Sequence, residues 1–189
     1  MVIGNEVEPP PLAANKGLQA VLIRPAAPAD AGRLRDLRLE ALADHPQAFS
    51  SDYATAAQEP LANWVERLER HEQGANERLQ VAEAGSELVG MAGIYRDPRP
   101  KIRHAATIWG VYVSPGWRGL RTGDGLVKAN LEWAASHEVV FVRLAVISVN
   151  SSAIACYLRC GFSVYGVEPK SIFYEGRYYD ELMMGCELE

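Results

Sequence analysis

The sequence predicts a single α/β domain, one mixed β-sheet with helices packed against it, and three observations carry that reading. The chain has 189 residues of which 48% are hydrophobic, enough to close one sizeable core and within the usual size of one domain. Its apolar residues fall partly into period-two runs bounded by turn residues and partly into stripes at spacings of three and four. Their order is strand, two helices, a three-strand meander, helix, strand, helix and closing strands, which argues for one sheet flanked by helices.

Residues 1–17, with Pro9-Pro10-Pro11, read as a flexible leader before a domain over residues 18–189. Residues 18–24 have strand-like content and end at Pro25, and residues 30–43 carry Leu34, Leu37 and Ala41 on one helical face with Leu42 beside them. Pro60 followed by Leu61, Trp64, Val65 and Leu68 predicts a second helix, with proline in the first turn where its missing N–H costs nothing. Residues 46–59 between them are expected to be a substrate-side loop.

Residues 78–83 and 87–95 predict two strands around Ala84-Gly85-Ser86. Residues 105–113 predict the third, with Thr107, Trp109, Val111 and Val113 on one face and Ile108 and Tyr112 on the other. Val127, Leu131 and Ala134 mark a helix over residues 121–137, and residues 141–149 a buried strand. Asn150-Ser151-Ser152 offers a cap for a short helix over 153–160, stopped by Gly161. Residues 162–167 and 172–188 close the sheet, with Glu175-Gly176 turning a hairpin, and no internal repeat is present.

Composition removes several function classes. The net charge is −5 and no block of Lys and Arg runs along any predicted face, so no nucleic-acid partner is expected. Cys156, Cys160 and Cys186 are odd in number and lack metal-ligand spacing, which fits a reduced, cytoplasmic setting without a metal. The longest apolar runs are strand-sized and the start lacks the pattern of a secretion signal, so neither membrane spanning nor export is expected.

Two strand-to-helix junctions remain, the positions where open α/β sheets hold ligands. The first runs Val111-Tyr112-Val113-Ser114-Pro115-Gly116-Trp117-Arg118-Gly119-Leu120-Arg121-Thr122-Gly123. Its chemistry suits a pyrophosphate: glycines 119 and 123 admit a close ligand, N–H groups at the helix start face the anion, and Arg118 and Arg121 add charge-assisted hydrogen bonds. A solvated Gly/Arg turn is the plain structural alternative. The second junction runs from Val146 through Asn150-Ser151-Ser152-Ala153-Ile154-Ala155-Cys156-Tyr157-Leu158-Arg159-Cys160-Gly161-Phe162.

Both junctions resemble the GNAT superfamily of acyl-coenzyme A-dependent N-acyltransferases. Its pyrophosphate loop reads Arg/Gln-x-x-Gly-x-Gly/Ala, matched at Arg118 and Gly123, with Arg121 in place of the central glycine. Its second signature, Asn-x-x-Ala-x-x-x-Tyr-x-x-x-Gly-Phe, is matched at Asn150, Ala153, Tyr157, Gly161 and Phe162. The resemblance implies a mostly antiparallel, centrally splayed sheet and an N-acetyltransferase that moves an acetyl group from acetyl-CoA to the amine of a small molecule or peptide. It also implies cofactor contacts from Val111, Tyr112, Val113, Arg118, Gly119, Leu120, Arg121, Thr122, Gly123 and Asn150. Tyr157 is implied as general acid; a phenol titrating near ~10 stays protonated at neutral pH yet can pass its proton to a thiolate of similar basicity. Dimers are common in the superfamily, so a homodimer is a further implication.

A negative φ at Arg121 would keep its N–H available, with the side chain in reach of a phosphate. Tyr157 as an ordinary core residue and Asn150 as only a helix cap are the structural alternatives. Many relatives carry a catalytic Glu where this chain has Thr107, which leaves Glu40, Asp52, His104 and Asp180 as candidate bases. Phe49, Tyr53, Trp64, Phe173, Tyr174, Tyr178 and Tyr179 are the aromatic residues available to an acceptor pocket. A non-catalytic acyl-CoA-binding regulatory domain is the second reading, motivated by Thr107 and Arg121. A nucleotide-binding domain ranks last, since neither Gly-x-Gly-x-x-Gly nor Gly-Lys-Ser/Thr occurs.

Overall fold

The computed structural model describes residues 20–188; the leader expected over 1–17 and the first residues of the opening strand lie outside the described residues. The chain forms β1 (Leu22–Pro25), α1 (Ala31–Asp44), α2 (Tyr53–Gln58), α3 (Leu61–Gln73), β2 (Glu77–Ala84), β3 (Glu87–Arg96) and β4 (Ala105–Val113). Then come α4 (Thr122–Ala135), β5 (Phe141–Ile147), α5 (Ser151–Arg159), β6 (Ser163–Tyr174) and β7 (Arg177–Glu187). The strands build one mixed sheet in the order β1-β2-β3-β4-β5-β7-β6, and only β4 and β5 run parallel. A parallel pair needs a crossover, and α4 provides it.

Helices cover both faces of the sheet. On one, Leu34, Leu37 and Ala41 of α1 and Trp64 and Leu68 of α3 pack on Leu79, Val81, Met91 and Tyr112. On the other, Leu126 and Val127 of α4 and Cys156 and Tyr157 of α5 pack on Ala92, Ile94, Ile108, Val142 and Val146. The helical stripes and strand alternations visible in the sequence are these two interfaces.

Buried charge pins the first helix to the sheet edge. Asp30, just before α1, takes Arg24 Nη2 at 2.9 Å and Nη1 at 2.7 Å, the Ala27 N–H at 2.8 Å, and Arg33. Glu83 on β2 takes the same two arginines, Arg24 Nε and Arg33 Nη1, each at 2.8 Å.

Three sequence expectations need correction. Residues 46–59 are not a plain loop: a short turn, Pro46–Ala48, is followed by α2, whose start is capped by Asp52 accepting from the Thr55 N–H at 2.8 Å. None of α2's residues is buried, so it carries no apolar stripe for periodicity to detect.

In β4 the simple alternation fails at Gly110, whose φ is +64°. Met91 pairs with Tyr112 and Gly93 with Trp109, so Ala92 opposes two residues; this is a β-bulge, and it sends Tyr112 to the opposite face from Ile108. The buried Asn130 of α4 answers the disturbed ladder by donating Nδ2–H to the Ala92 carbonyl at 3.2 Å. Finally, the two closing segments expected at 162–167 and 172–188 are instead one long β6 with a register break between Glu168 and Ile172, then β7. The turn between them does fall at Glu175-Gly176, both with positive φ.

Candidate active site

β4 and β5 are hydrogen-bonded only at their beginnings. Their register covers Ala105 with Phe141, Ala106 with Val142 and Thr107 with Arg143, and stops there. Arg143 Nε donates to Thr107 Oγ1 at 3.2 Å across the last rung. Beyond it the facing edges of Trp109 to Val113 and of Ala145 to Ile147 have no partner strand, and β5 is occupied only on its β7 side. An extended ligand with amide groups fits such an opening, because each unpaired main-chain group needs a hydrogen bond. Val111 and Val113 lie along it, partly buried against the α4 side of the core.

The open edge leads into the start of α4. Gly125 N–H to Arg121 O, at 3.0 Å, is the first main-chain bond of that helix. The N–H groups of Gly119, Leu120, Arg121, Thr122, Gly123 and Asp124 have no main-chain acceptor among the described residues. Consecutive free donors at a helix N-terminus are an anion receptor. Gly119 has φ +78° and open space where a Cβ would be, while Gly123 lies against Cys156 and Val113. Thr122 is buried, its hydroxyl directed at the Trp117 carbonyl at 3.3 Å, and Leu120 is exposed.

Arg121 departs from expectation. Its φ is +63°, not negative, so an arginine occupies the left-handed conformation that glycine adopts without strain. Its guanidinium meets Asp124 at 3.0 Å. Arg121→Gly is therefore expected to leave the fold intact and to change stability by no more than about 1 kcal/mol, in the stabilising direction, since relief of strain outweighs the added chain entropy. Urea unfolding of both forms checks this, and a loss of more than about 1 kcal/mol would mean the side chain, not the backbone, holds the loop.

Arg118 is turned toward α1. Its Nε donates to the Val113 carbonyl at 2.9 Å, its Nη2 pairs with Asp44, and its guanidinium lies 5.6 Å from the centre of the Tyr112 ring. The Tyr112 hydroxyl in turn stands 3.0 Å from Glu40 Oε1 and 3.1 Å from Asp44 Oδ2. One hydroxyl proton serves only one of these carboxylates at a time. Burial, reinforced by Glu40, pushes the Tyr112 phenol above its ordinary value, whereas Arg118 holds the Asp44 carboxyl below the usual range. Tyr112 thus offers a ligand its main chain alone, and the loop is braced to α1 through Arg118.

From the other side α5 closes under the opening. Asn150 caps it, Oδ1 accepting from the Ala153 N–H at 3.1 Å, and its Nδ2 has no partner among the described residues. Both readings of Asn150 are therefore compatible in one residue. Tyr157 is buried in the same cluster as Ile108, Val127 and Val146, its ring 6.1 Å from Phe162. Its hydroxyl makes no hydrogen bond among the described residues, yet it is not among the polar atoms sealed off from solvent without a partner. Burial, then the neighbouring Cys156 and Cys160, push the phenol up, so it holds its proton throughout the neutral range.

Asp124 escaped sequence analysis. In the first turn of α4 it takes Arg159 of α5 through Nε at 2.9 Å and Nη2 at 2.6 Å, and Arg121 as well. The Arg159 side chain, first of these partners, holds the Asp124 carboxyl far below its ordinary value. Two guanidiniums are thereby gathered at the anion-receiving helix end. An acidic residue in a predicted first turn was the available signal.

The candidate bases separate by position. Thr107, at the position where many relatives carry Glu, accepts from Arg143 Nε. His104 lies in the exposed turn before β4, at its paired end; Asp52 caps α2; Asp180 is exposed and accepts from the Lys170 N–H at 2.8 Å. Glu40 alone of the four stands at the open end of β4, beside Tyr112. On that α1 side a cleft of about 550 Å³ runs between Leu37, Glu40, Glu87, Leu88, Ser114 and Trp117.

The aromatic residues do not converge as a set. Phe49 and Trp64 join the α1–α3 cluster, whereas Phe173 and Tyr178 meet as tilted rings with centres 4.8 Å apart, both exposed, near the β6–β7 turn. Trp109 was missed: its indole lies on Gly93, where an added Cβ would come 2.2 Å from Cε2, and it is partly exposed on the α3 side of the opening.

A mixed sheet split between two parallel strands, with a donor-lined helix start at the end of the split, is the arrangement of the acetyltransferase fold. The chain belongs to the Acetyltransferase (GNAT) family, whose sequence pattern matches residues 37–162. Solved structures agree in fold. A GNAT-family acetyltransferase from Streptococcus pneumoniae superposes with a TM-score of 0.81 at 23% identity, covering 90% of this chain and 100% of that one. The ribosomal-protein-alanine N-acetyltransferase of Brucella melitensis gives 0.75 at 27% identity over 88% and 99%. yncA of Salmonella typhimurium, assigned as an acetyltransferase and solved with its cofactor acetyl-CoA, gives 0.78 at 21% over 90% and 95%. No curated protein sequence matches the chain.

No helix among the described residues is long and apolar enough to cross a membrane, and no group of His, Cys, Asp and Glu among them is arranged to hold a metal.

Proposed function

We propose that the protein transfers an acetyl group from acetyl-CoA to a primary amine of a small molecule or peptide. The observation that carries this reading is the run of free N–H groups from Gly119 to Asp124 at the end of the unpaired β4 edge. It is a pyrophosphate receptor continuous with a strand edge able to bind a pantetheine arm as a strand would. The likeness to the Brucella enzyme and to the acetyl-CoA-bound Salmonella structure supports it.

When bound, acetyl-CoA supplies the activated acetyl thioester. The main chain of Val111 and Val113 aligns the arm, and the Asn150 Nδ2–H is free to donate to it. The amine attacks as its neutral form, so its proton must first be lost; Glu40 is the carboxylate at the open end of β4 that takes it in this reading. As the new N–C bond forms and the C–S bond breaks, Tyr157 gives its hydroxyl proton to the departing sulfur, and the proton that the nitrogen sheds on becoming an amide passes through solvent to restore the Tyr157 hydroxyl.

Calorimetric titration with acetyl-CoA tests the proposal. Saturable binding near micromolar affinity is expected, weakened about tenfold, or about 1.4 kcal/mol, by Arg118→Ala as the loop loses its brace to Asp44 and Val113. No binding removes the reading. Binding without thiol release across a panel of primary amines would instead make the protein a non-catalytic acyl-CoA-binding domain, the outcome that Thr107 at the usual base position favours.

A further inference from the structure

The α1–α3 side of the sheet holds a positive charge that nothing among the described residues answers. Arg38 of α1 makes no hydrogen bond and no ion pair among the described residues, and its Nη1 is closed off from solvent without an acceptor. Its guanidinium carbon lies over the Phe49 ring, 4.5 Å from the ring centre. Nε and Nη2 are not among the sealed atoms, so one edge of the guanidinium stays approachable.

A second guanidinium lies near enough to repel it: Arg67 of α3, stacked over Trp64 at 4.6 Å and paired with Glu59 at 2.5 Å. Two guanidiniums, each backed by an aromatic face, therefore lie together, and the Glu59 carboxylate pairs with Arg67 but not with Arg38. Burial first, then Arg67, push the Arg38 guanidinium down to about 10, the mark of a cation held in place without compensation. Charged groups are rarely buried unpaired, because desolvation is unopposed; such a site asks for an anion.

The position tells which anion. Arg38 lies on the opposite face of the sheet from α4, so the phosphates that would meet the Gly119 to Asp124 donors do not reach it. Phe49 follows the Pro46–Ala48 turn, which packs against β5 and β6 on the far side of the split. We infer that Arg38, with Arg67 beside it, receives a carboxylate carried by the acceptor, making the acceptor an amino acid or similar amino-carboxylate and not a bare amine. The inference rests on the acetyl-transfer reading and narrows its substrate class. Arginine suits the task, since its planar fork binds a carboxylate through two parallel N–H groups.

The test compares acceptors that differ only in the carboxylate, L-leucine against 3-methylbutylamine and 4-aminobutanoate against propylamine, with wild type, Arg38→Met and Arg38→Lys. In at least one pair the amino acid is expected to have a kcat/KM at least tenfold above its partner. Arg38→Met should abolish that ratio through a rise in KM, and Arg38→Lys should restore part of it. Equal kcat/KM within both pairs for the wild type, or a preference that survives Arg38→Met, overturns the assignment.

Should no form acetylate either member, the acetyl-transfer reading is what has failed, and the anion site is decided separately by thermal melting in sodium sulfate against sodium chloride of equal ionic strength. A sulfate-specific rise in Tm that is present in the wild type and absent in Arg38→Met upholds an anion site; an equal response in both forms overturns it. The Met variant is also expected to melt no lower than the wild type, because it removes a charge without a partner, and a fall of several degrees would mark Arg38 as structural and overturn the proposal.

Discussion

Tyr157→Phe is expected to lower turnover by roughly ten- to a thousandfold, the usual contribution of a general acid, while acetyl-CoA affinity stays near that of the wild type. The hydroxyl is the only atom lost. Because it has no hydrogen-bond partner among the described residues, its removal should leave thermal stability unchanged, which separates a chemical role from a packing role. Steady-state rates at saturating acetyl-CoA, with a melting curve beside them, make the comparison. Unchanged turnover would return Tyr157 to the status of a core residue packed on Phe162. Burial raises the phenol, so the proton is in place on the oxygen throughout the neutral range before the thiolate forms.

Asp30→Asn is expected to destabilise the fold by about 2–4 kcal/mol, the range for breaking a buried ion pair, reduced because Arg24 and Arg33 are themselves partly exposed. The change keeps the shape and one acceptor, but it leaves two guanidiniums with Glu83 alone. A pH dependence accompanies it. Arg24, the first cause, holds the Asp30 carboxyl well below its unfolded value, and Arg24 and Arg33 hold Glu83 down to about 2. A carboxyl lowered in the folded state stabilises above its unfolded value, near ~4, and this stabilisation is lost as the pH falls through the folded value. Wild-type stability should therefore decline below pH ~4, and the Asn variant should decline less steeply. Urea titrations from neutral pH to pH 3 read both effects, and parallel curves would exclude Asp30 as the group responsible.

What the sequence revealed follows the range over which each signal acts. Leu34, Leu37 and Ala41 mark one face of α1 by spacing alone, and Glu175-Gly176 marks its turn by backbone preference, so both are local and both were legible. The bulge at Gly110 was not, because a single glycine in an apolar run has no periodic signature, and yet it decides which face Tyr112 occupies. Arg38 is a stronger case. Four residues from both Leu34 and Leu42 it falls within the apolar stripe of α1, so an arginine among inward positions was a signal in the sequence, but only the meeting of α1, α3 and Phe49 in space shows what surrounds it. Arg121 could be recognised as a substitution but not as a left-handed residue, since φ is set by the turn it completes.

The short register between β4 and β5 leaves the molecule with a seam. The β1–β4 and β5–β7 portions share a few rungs at one end, and elsewhere they are joined by α4 and α5 packing beneath them. A ligand lying in that seam would act as a missing strand, lending rigidity across the molecule as well as presenting its reactive end. Amide protons along Trp109 to Val113 and Ala145 to Ile147 would then be the first to gain protection from exchange when it arrives, and the grip on a second substrate on the α1 side would follow from the stiffening.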